Sequence, residues 1–174
     1  VEMVEDWARR YPKLRPVVPM IALTSAVSMP QVSISDAFAW ARAVSWIFLV
    51  DYKADRQTFT HQDMRHKAAQ WYAMATDWPA CAVDDDDELT SVLAHIMDDM
   101  SQSNLFDPLR SYWAVRLRDH VLGVAQEFQN ALAYTERGPG TLPSLDDYVR
   151  VGTQSVGYPF LGSMAMIFHR DASV

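Results

Sequence analysis

The sequence predicts an all-α fold, and three observations carry that expectation. Apolar residues in the longer segments recur every three or four positions, the period of a helix face. Helix-opening pairs recur ahead of those segments, at Ser33 with Asp36, Thr60 with Asp63 and Ser144 with Asp147. Strand-like alternation is scarce, and only 6 glycines are present among 174 residues, which argues against an all-β fold. At this length the chain builds one core, so residues 1–174 are read as a single domain.

The elements follow in order. A short helix is expected around Val4 to Arg10. Pro12, Pro16, Pro19 and Pro30 then favour an extended lead-in, because proline removes a donor and restricts the residue before it. Ser33 and Asp36 form a variant capping box, with Asp in place of Glu, ahead of a helix to Asp55. Thr60 and Asp63 start the next, which runs to about Asp77 and ends at Pro79. Asp84 to Glu88 opens a helix to about Ser103. Pro108 begins a long helix through Trp113, His120, Val124, Phe128 and Leu132. Gly138-Pro139-Gly140 stops it. Ser144 and Asp147 cap another helix, broken near Gly157 and Pro159, and an apolar helix spans Phe160 to Phe168. Short connections between such helices make a bundle.

Composition narrows the function. The net charge of −7, with no local basic stripe, disfavours a nucleic-acid partner. No stretch is apolar for long enough to span a membrane. The N-terminus lacks a signal-peptide pattern, and the lone cysteine, Cys81, reads as a buried small hydrophobe in a reducing, cytoplasmic compartment. Six Trp and nine Met suggest an aromatic, adaptable interior.

The candidate site lies at the end of the helix DAFAWARAVSWIFLVDYKAD, from Asp36 to Asp55. Asp51 follows Trp40, Val44 and Phe48 by 11, 7 and 3 residues, so it shares their side of the helix. Asp55 sits one turn further on. Two carboxylates at i and i+4 repel each other, and placed over an apolar face they also resist desolvation. A hard divalent cation such as Mg2+ would relieve both effects. The plainer alternative is that the helix surfaces after Phe48 and leaves two solvated acids near Lys53 and Arg56.

Other clusters read as structural. The run Asp84-Asp85-Asp86-Asp87 matches the Asp-x-Asp-Asp acid motif of class II diterpene cyclases, but it stands at a helix start, where carboxylates meet the helix dipole favourably. Asp98 and Asp99 fit a solvated helix face. His61, His66, His95, His120 and His169 make no zinc pattern. There is no Gly-rich phosphate loop and no Gly-x-Ser-x-Gly elbow.

Taken in order, several segments resemble a class I terpene synthase. Trp46-Ile47-Phe48-Leu49-Val50-Asp51-Tyr52-Lys53-Ala54-Asp55 is similar to the family's aspartate-rich helix end. The usual Asp-Asp-x-x-Asp becomes Asp51-x-x-x-Asp55, with Tyr52 replacing the second acid. Leu142 to Tyr148 resembles the Pro-Ser-Leu-Glu-Glu-Tyr helix start. Tyr134-Thr135-Glu136-Arg137 falls where the family has its Glu-rich helix end. Ser155-Val156-Gly157-Tyr158-Pro159 resembles the broken helix that faces the substrate's diphosphate. Two features depart from the family. Gly152 stands where many bacterial members carry a diphosphate-sensing arginine, with Arg150 on another face. The second metal motif, Asn-x-x-x-Ser-x-x-x-Glu, is absent, so the resemblance implies a partial class I terpene synthase-like bundle, incomplete at the C-terminus.

The resemblance implies Mg2+-dependent ionisation and cyclisation of a prenyl diphosphate, with a labdane-type, C20 substrate favoured by the small residue at 152. Asp51 and Asp55 would be the metal ligands and catalytic acids. Val44, Ile47 and Phe48 would form the apolar wall, and the backbone at Ser155, Val156 and Gly157 would face the diphosphate. A sesquiterpene synthase, an isoprenyl chain-joining transferase and a non-catalytic all-α interaction module stay open, as does a homodimer.

Overall fold

The computed structural model describes residues 2–56, 58–80 and 87–169. Cys81 and three members of the acidic run, Asp84, Asp85 and Asp86, lie outside the described residues. The described residues form eight α-helices and no strand: α1 Glu2–Ala8, α2 Val18–Ser28, α3 Ile34–Asp55, α4 His61–Asp77, α5 Glu88–Ser101, α6 Phe106–Arg137, α7 Leu145–Ser155 and α8 Tyr158–His169.

Local chemistry sets the helix starts. The Ser33 hydroxyl accepts the Asp36 N–H at 3.1 Å and donates to its carboxylate at 2.8 Å. Thr60 and Asp63 complete a reciprocal capping box ahead of α4. Ser144 accepts the Asp147 N–H at 3.1 Å at the start of α7. Each cap satisfies a donor that the first helical turn leaves free. Asp87 caps α5 through the Leu89 N–H, accepts the Thr90 hydroxyl and pairs with Lys67 of α4. The one described member of the acidic run is thus a structural anchor.

Two boundaries differ from the sequence reading. The proline-rich lead-in is not extended throughout: it contains α2, and a 3₁₀ turn covers Pro12–Leu14. Pro19 sits in the first turn of α2, where a missing N–H breaks no helical bond. The buried Ile21, Ala22 and Ser25 then face the neighbouring helices. By the same logic α6 begins at Phe106, two residues before Pro108, which occupies its first turn.

The long helix α6 is the spine. It packs against α4 and α7 most extensively, and also against α8 and α3; α3 in turn carries α5 and α2. Aromatic rings fill the centre. Trp46 meets Trp71 edge-on at 5.0 Å, and Phe160 bridges Trp46 at 5.8 Å and Trp113 at 5.7 Å. Two of the indoles are tied to α5: the Trp46 N–H donates to the Leu89 carbonyl at 2.9 Å, and that of Trp71 to the Thr90 hydroxyl at 2.8 Å. Arg42 pairs with Asp99 between α3 and α5. Asp99 is therefore paired and half-buried, not on a freely solvated face. The outcome is a fixed frame in which the C-terminal end of α3, the second half of α6 and all of α7 surround one cleft.

Candidate metal and diphosphate site

Helix α3 ends in an Ala-spaced turn, Asp51, Ala54, Asp55. Buried Ala54 seats the turn while both acids stay on the cleft side. The cleft has a volume of about 780 Å³ and three walls. Helix α3 gives Asp51 and Asp55, α6 gives Val124, Glu127 and Phe128, and α7 gives Tyr148, Gly152, Ser155 and Val156 among others. Three acids, Asp51, Asp55 and Glu127, stand among mostly apolar residues, with Tyr148, Thr153 and Ser155 the other polar side chains.

Asp51 is half-buried, while Asp55 and Glu127 are exposed. Burial first, then the charges of Asp55 and Glu127, push the Asp51 carboxyl up to about 7. Asp51 is thus poised between protonated and ionised at neutral pH. The plainer sequence alternative, two freely solvated acids, does not describe Asp51.

No lysine or arginine lines the cleft among the described residues. The nearby cations are engaged elsewhere. Lys53 pairs with Glu88 at 3.3 Å, Lys13 and Arg56 lie over the Tyr52 ring at 4.7 and 5.5 Å, and Arg150 pairs with Asp147 at 3.1 Å. Tyr52 thus holds Lys13 and Arg56 over its ring, and Lys13 borders a smaller hollow that Asp51 and Asp55 share. An anionic head group entering this cleft would meet three carboxylates, so its binding requires a bridging cation. The residues fit one: adjacent carboxylate oxygens are hard ligands, and such an ion usually keeps waters or phosphate oxygens at its other positions. No group of three or more His, Cys, Asp or Glu side chains among the described residues is arranged to hold a metal alone. Two carboxylates, Asp51 and Asp55, would supply only part of a coordination shell.

The α6–α7 seam is set by glycine. A Cβ at Gly123 would lie 2.7 Å from the Ser155 backbone nitrogen and 2.8 Å from the Gln154 Cβ, so only glycine permits this approach. The break between α7 and α8 turns at Gly157, whose φ is +72°. Behind it, His120 of α6 is buried, and its Nδ1 lies 3.2 Å from the Gln154 carbonyl. Burial pushes the His120 imidazole down to about 4, against the pull of the Gln154 and Ser155 carbonyls, so the ring is neutral at pH 7.

The site residues expected from sequence fall in different places. Asp51, Asp55, Ser155 and Val156 meet at the cleft. Gly157 is buried beneath it, with the Ile47 Cδ1 2.8 Å from where its Cβ would be. Val44 and Ile47 are core residues. Phe48 lines a smaller hollow of about 200 Å³ with Lys13, Leu14 and Val17, and Asp51 and Asp55 border this hollow as well as the cleft. The observed apolar lining instead comes from α6 and α7, through Val124, Phe128, Val149 and Val156. Sequence reasoning missed Glu127. Its one available signal is its place on α6 between Val124 and Phe128, and that does not say which wall it faces.

A family model described as terpene synthase family 2, C-terminal metal binding, matches residues 42–173, from the middle of α3 past the end of α8. No curated protein matches the chain.

Proposed function

The chain belongs to terpene synthase family 2, and on that premise we propose that it ionises and cyclises a prenyl diphosphate, most simply a C20 one, with Mg2+ held by Asp51 and Asp55. One observation carries the reading: among the described residues, three carboxylates and no cationic side chain line a cleft whose other lining is mostly apolar. Those carboxylates accept a diphosphate only through a divalent cation, and the apolar lining suits a hydrocarbon tail.

A bound divalent cation supplies charge stabilisation to the departing diphosphate. The protein's own groups do the rest. Asp51 and Asp55 would hold that cation, and so the head group, at the acidic part of the cleft. Asp51 must first give up its proton, which the burial that raises its pKa would otherwise retain. Phe128 and Tyr148 present aromatic faces, which favour a passing carbocation over a neutral chain. Val124, Val149 and Val156 exclude water and press the tail into a folded shape. Gly152 leaves room above Glu127 that a larger residue would fill.

The test is product analysis by gas chromatography with mass spectrometry. Purified protein with Mg2+ is offered linear C10, C15 and C20 diphosphates and a bicyclic C20 diphosphate. A cyclic hydrocarbon or alcohol from a C20 substrate is expected. Turnover that requires isopentenyl diphosphate as co-substrate would replace cyclisation with chain joining. A sole C15 product would make the protein a sesquiterpene synthase.

A further inference from the structure

His120 takes no part in the chemistry above, yet it is the buried titratable group nearest the cleft wall. Its imidazole is wedged between the end of α7 and the start of α8. The ring stacks on Phe160 at 5.8 Å with an interplanar angle of 8°. A Cβ at Gly157 would lie 3.3 Å from its Cε1, so the bare glycine leaves the space the ring occupies. Nδ1 reaches the Gln154 carbonyl at 3.2 Å, and that carbonyl also accepts the Gly157 N–H at 3.2 Å.

Among the described residues Nε2 has no hydrogen-bond partner, and it is buried. This asymmetry selects one tautomer. A proton on Nε2 would bury an unsatisfied donor and would also strip the Gln154 carbonyl of its side-chain partner. The Nδ1–H form satisfies both groups and leaves only a bare acceptor at Nε2.

The bond has a consequence for the cleft. The last carbonyls of α7 lie at the negative end of the helix dipole. Ser155 and Val156, which follow the Gln154 carbonyl, line the cleft where an anionic head group would sit. A carbonyl turned inward onto His120 is a carbonyl not presented to that anion.

We infer that His120 is a positioning residue: its Nδ1–H latches the Gln154 carbonyl to α6 and so fixes the Gln154–Gly157 break that forms one wall of the cleft. Its effect on turnover rests on the prenyl diphosphate reading; the latch does not.

Two variants separate hydrogen bond from packing. His120→Phe keeps an aromatic ring against Phe160 and Gly157 but has no donor. His120→Asn places an amide donor at the position of Nδ1 without the ring. Nitrogen NMR of imidazole-labelled wild-type protein is expected to show a neutral Nδ1–H tautomer for His120. Amide hydrogen exchange at Val156 and Gly157 is expected to accelerate about tenfold or more in His120→Phe, and to stay within about threefold of wild type in His120→Asn. On a substrate the wild type converts, His120→Phe should lose about tenfold in kcat/KM, and His120→Asn should retain it.

An Nε2–H tautomer would overturn the inference even if His120→Phe failed to fold. Unchanged exchange in a folded His120→Phe would overturn it too, and equal acceleration in both variants would assign the effect to lost packing. A wild type that converts no prenyl diphosphate, yet shows the expected tautomer and exchange pattern, leaves the latch standing and removes the cyclase reading alone.

Discussion

A Cβ added to Gly152 of α7 would lie 4.0 Å from the Glu127 Oε1 of α6, so the smallest residue on α7 faces a carboxylate across the cleft. At that distance a methyl group makes an ordinary contact. Gly152→Ala should therefore fold normally and gain helix propensity, raising stability by about 0.5–1 kcal/mol. Chemical denaturation of the two proteins checks this. A loss of stability would mean that the α6–α7 seam is tighter at this point than the geometry gives.

Gly123 provides the opposite case. Its absent Cβ would meet backbone, the Ser155 nitrogen at 2.7 Å, and backbone cannot rotate away as a side chain can. Gly123→Ala should destabilise by about 1–3 kcal/mol despite alanine's better helix propensity. The two glycine-to-alanine changes, read by the same denaturation assay, are expected to carry opposite signs.

Asp51 should show the signature of a residue kept for function at the expense of stability. Its pKa is raised to about 7 in the folded protein, against about 3.8 for an unperturbed group. The unfolded chain therefore gives up this proton first as pH rises. The resulting penalty grows between about pH 3.8 and 7 and is fully present at pH 8. Asp51→Asn should raise the metal-free Tm at pH 8 by roughly 2–6 °C and do little at pH 4. Saturating Mg2+ with inorganic diphosphate should raise the Tm of the wild type and leave that of Asp51→Asn unmoved. A variant less stable than wild type at pH 8 would contradict the crowding of carboxylates at this cleft.

His120 pulls stability the other way. Its folded pKa is lowered to about 4, while the unfolded chain takes up the proton near 6.5. As pH falls from about 6.5 to 4 the unfolded state gains protons that the folded state refuses. Stability should drop by up to about 3 kcal/mol over that window and change no further from this group below it. Because Asp51 acts oppositely in an overlapping window, the difference between wild type and His120→Phe, measured at pH 7.5 and 5, isolates the imidazole. An identical pH slope in both proteins would contradict a neutral, buried ring.

Much of the architecture was legible in the sequence because the relevant signals are local. Ser33, Thr60 and Ser144 each announce a helix through a bond to a residue three positions on, and all three caps form. The missed helix α2 has the same cause as the misplaced start of α6. Proline disrupts a helix only beyond its first turn, and the sequence does not say on which side of Pro19 or Pro108 the first turn lies. The cleft was legible only along α3. Asp51 and Asp55 share a helix, so their spacing fixes their relation. Glu127 and the α6–α7 wall depend on how three helices dock, which is a tertiary fact. Phe48 illustrates the limit: helical spacing puts it beside Asp51, yet a helix side about as wide as the bundle contact serves two hollows, and Phe48 borders the one toward Lys13.

The most direct measurement of the central claim is diphosphate release from a linear C20 prenyl diphosphate, by wild type and Asp51→Asn, with and without Mg2+. The account predicts release by the wild type only when Mg2+ is present, and a fall of at least about 100-fold in Asp51→Asn, which loses one of the two carboxylates proposed to hold the cation. Equal release by Asp51→Asn, or release by the wild type that persists in excess chelator, would contradict it.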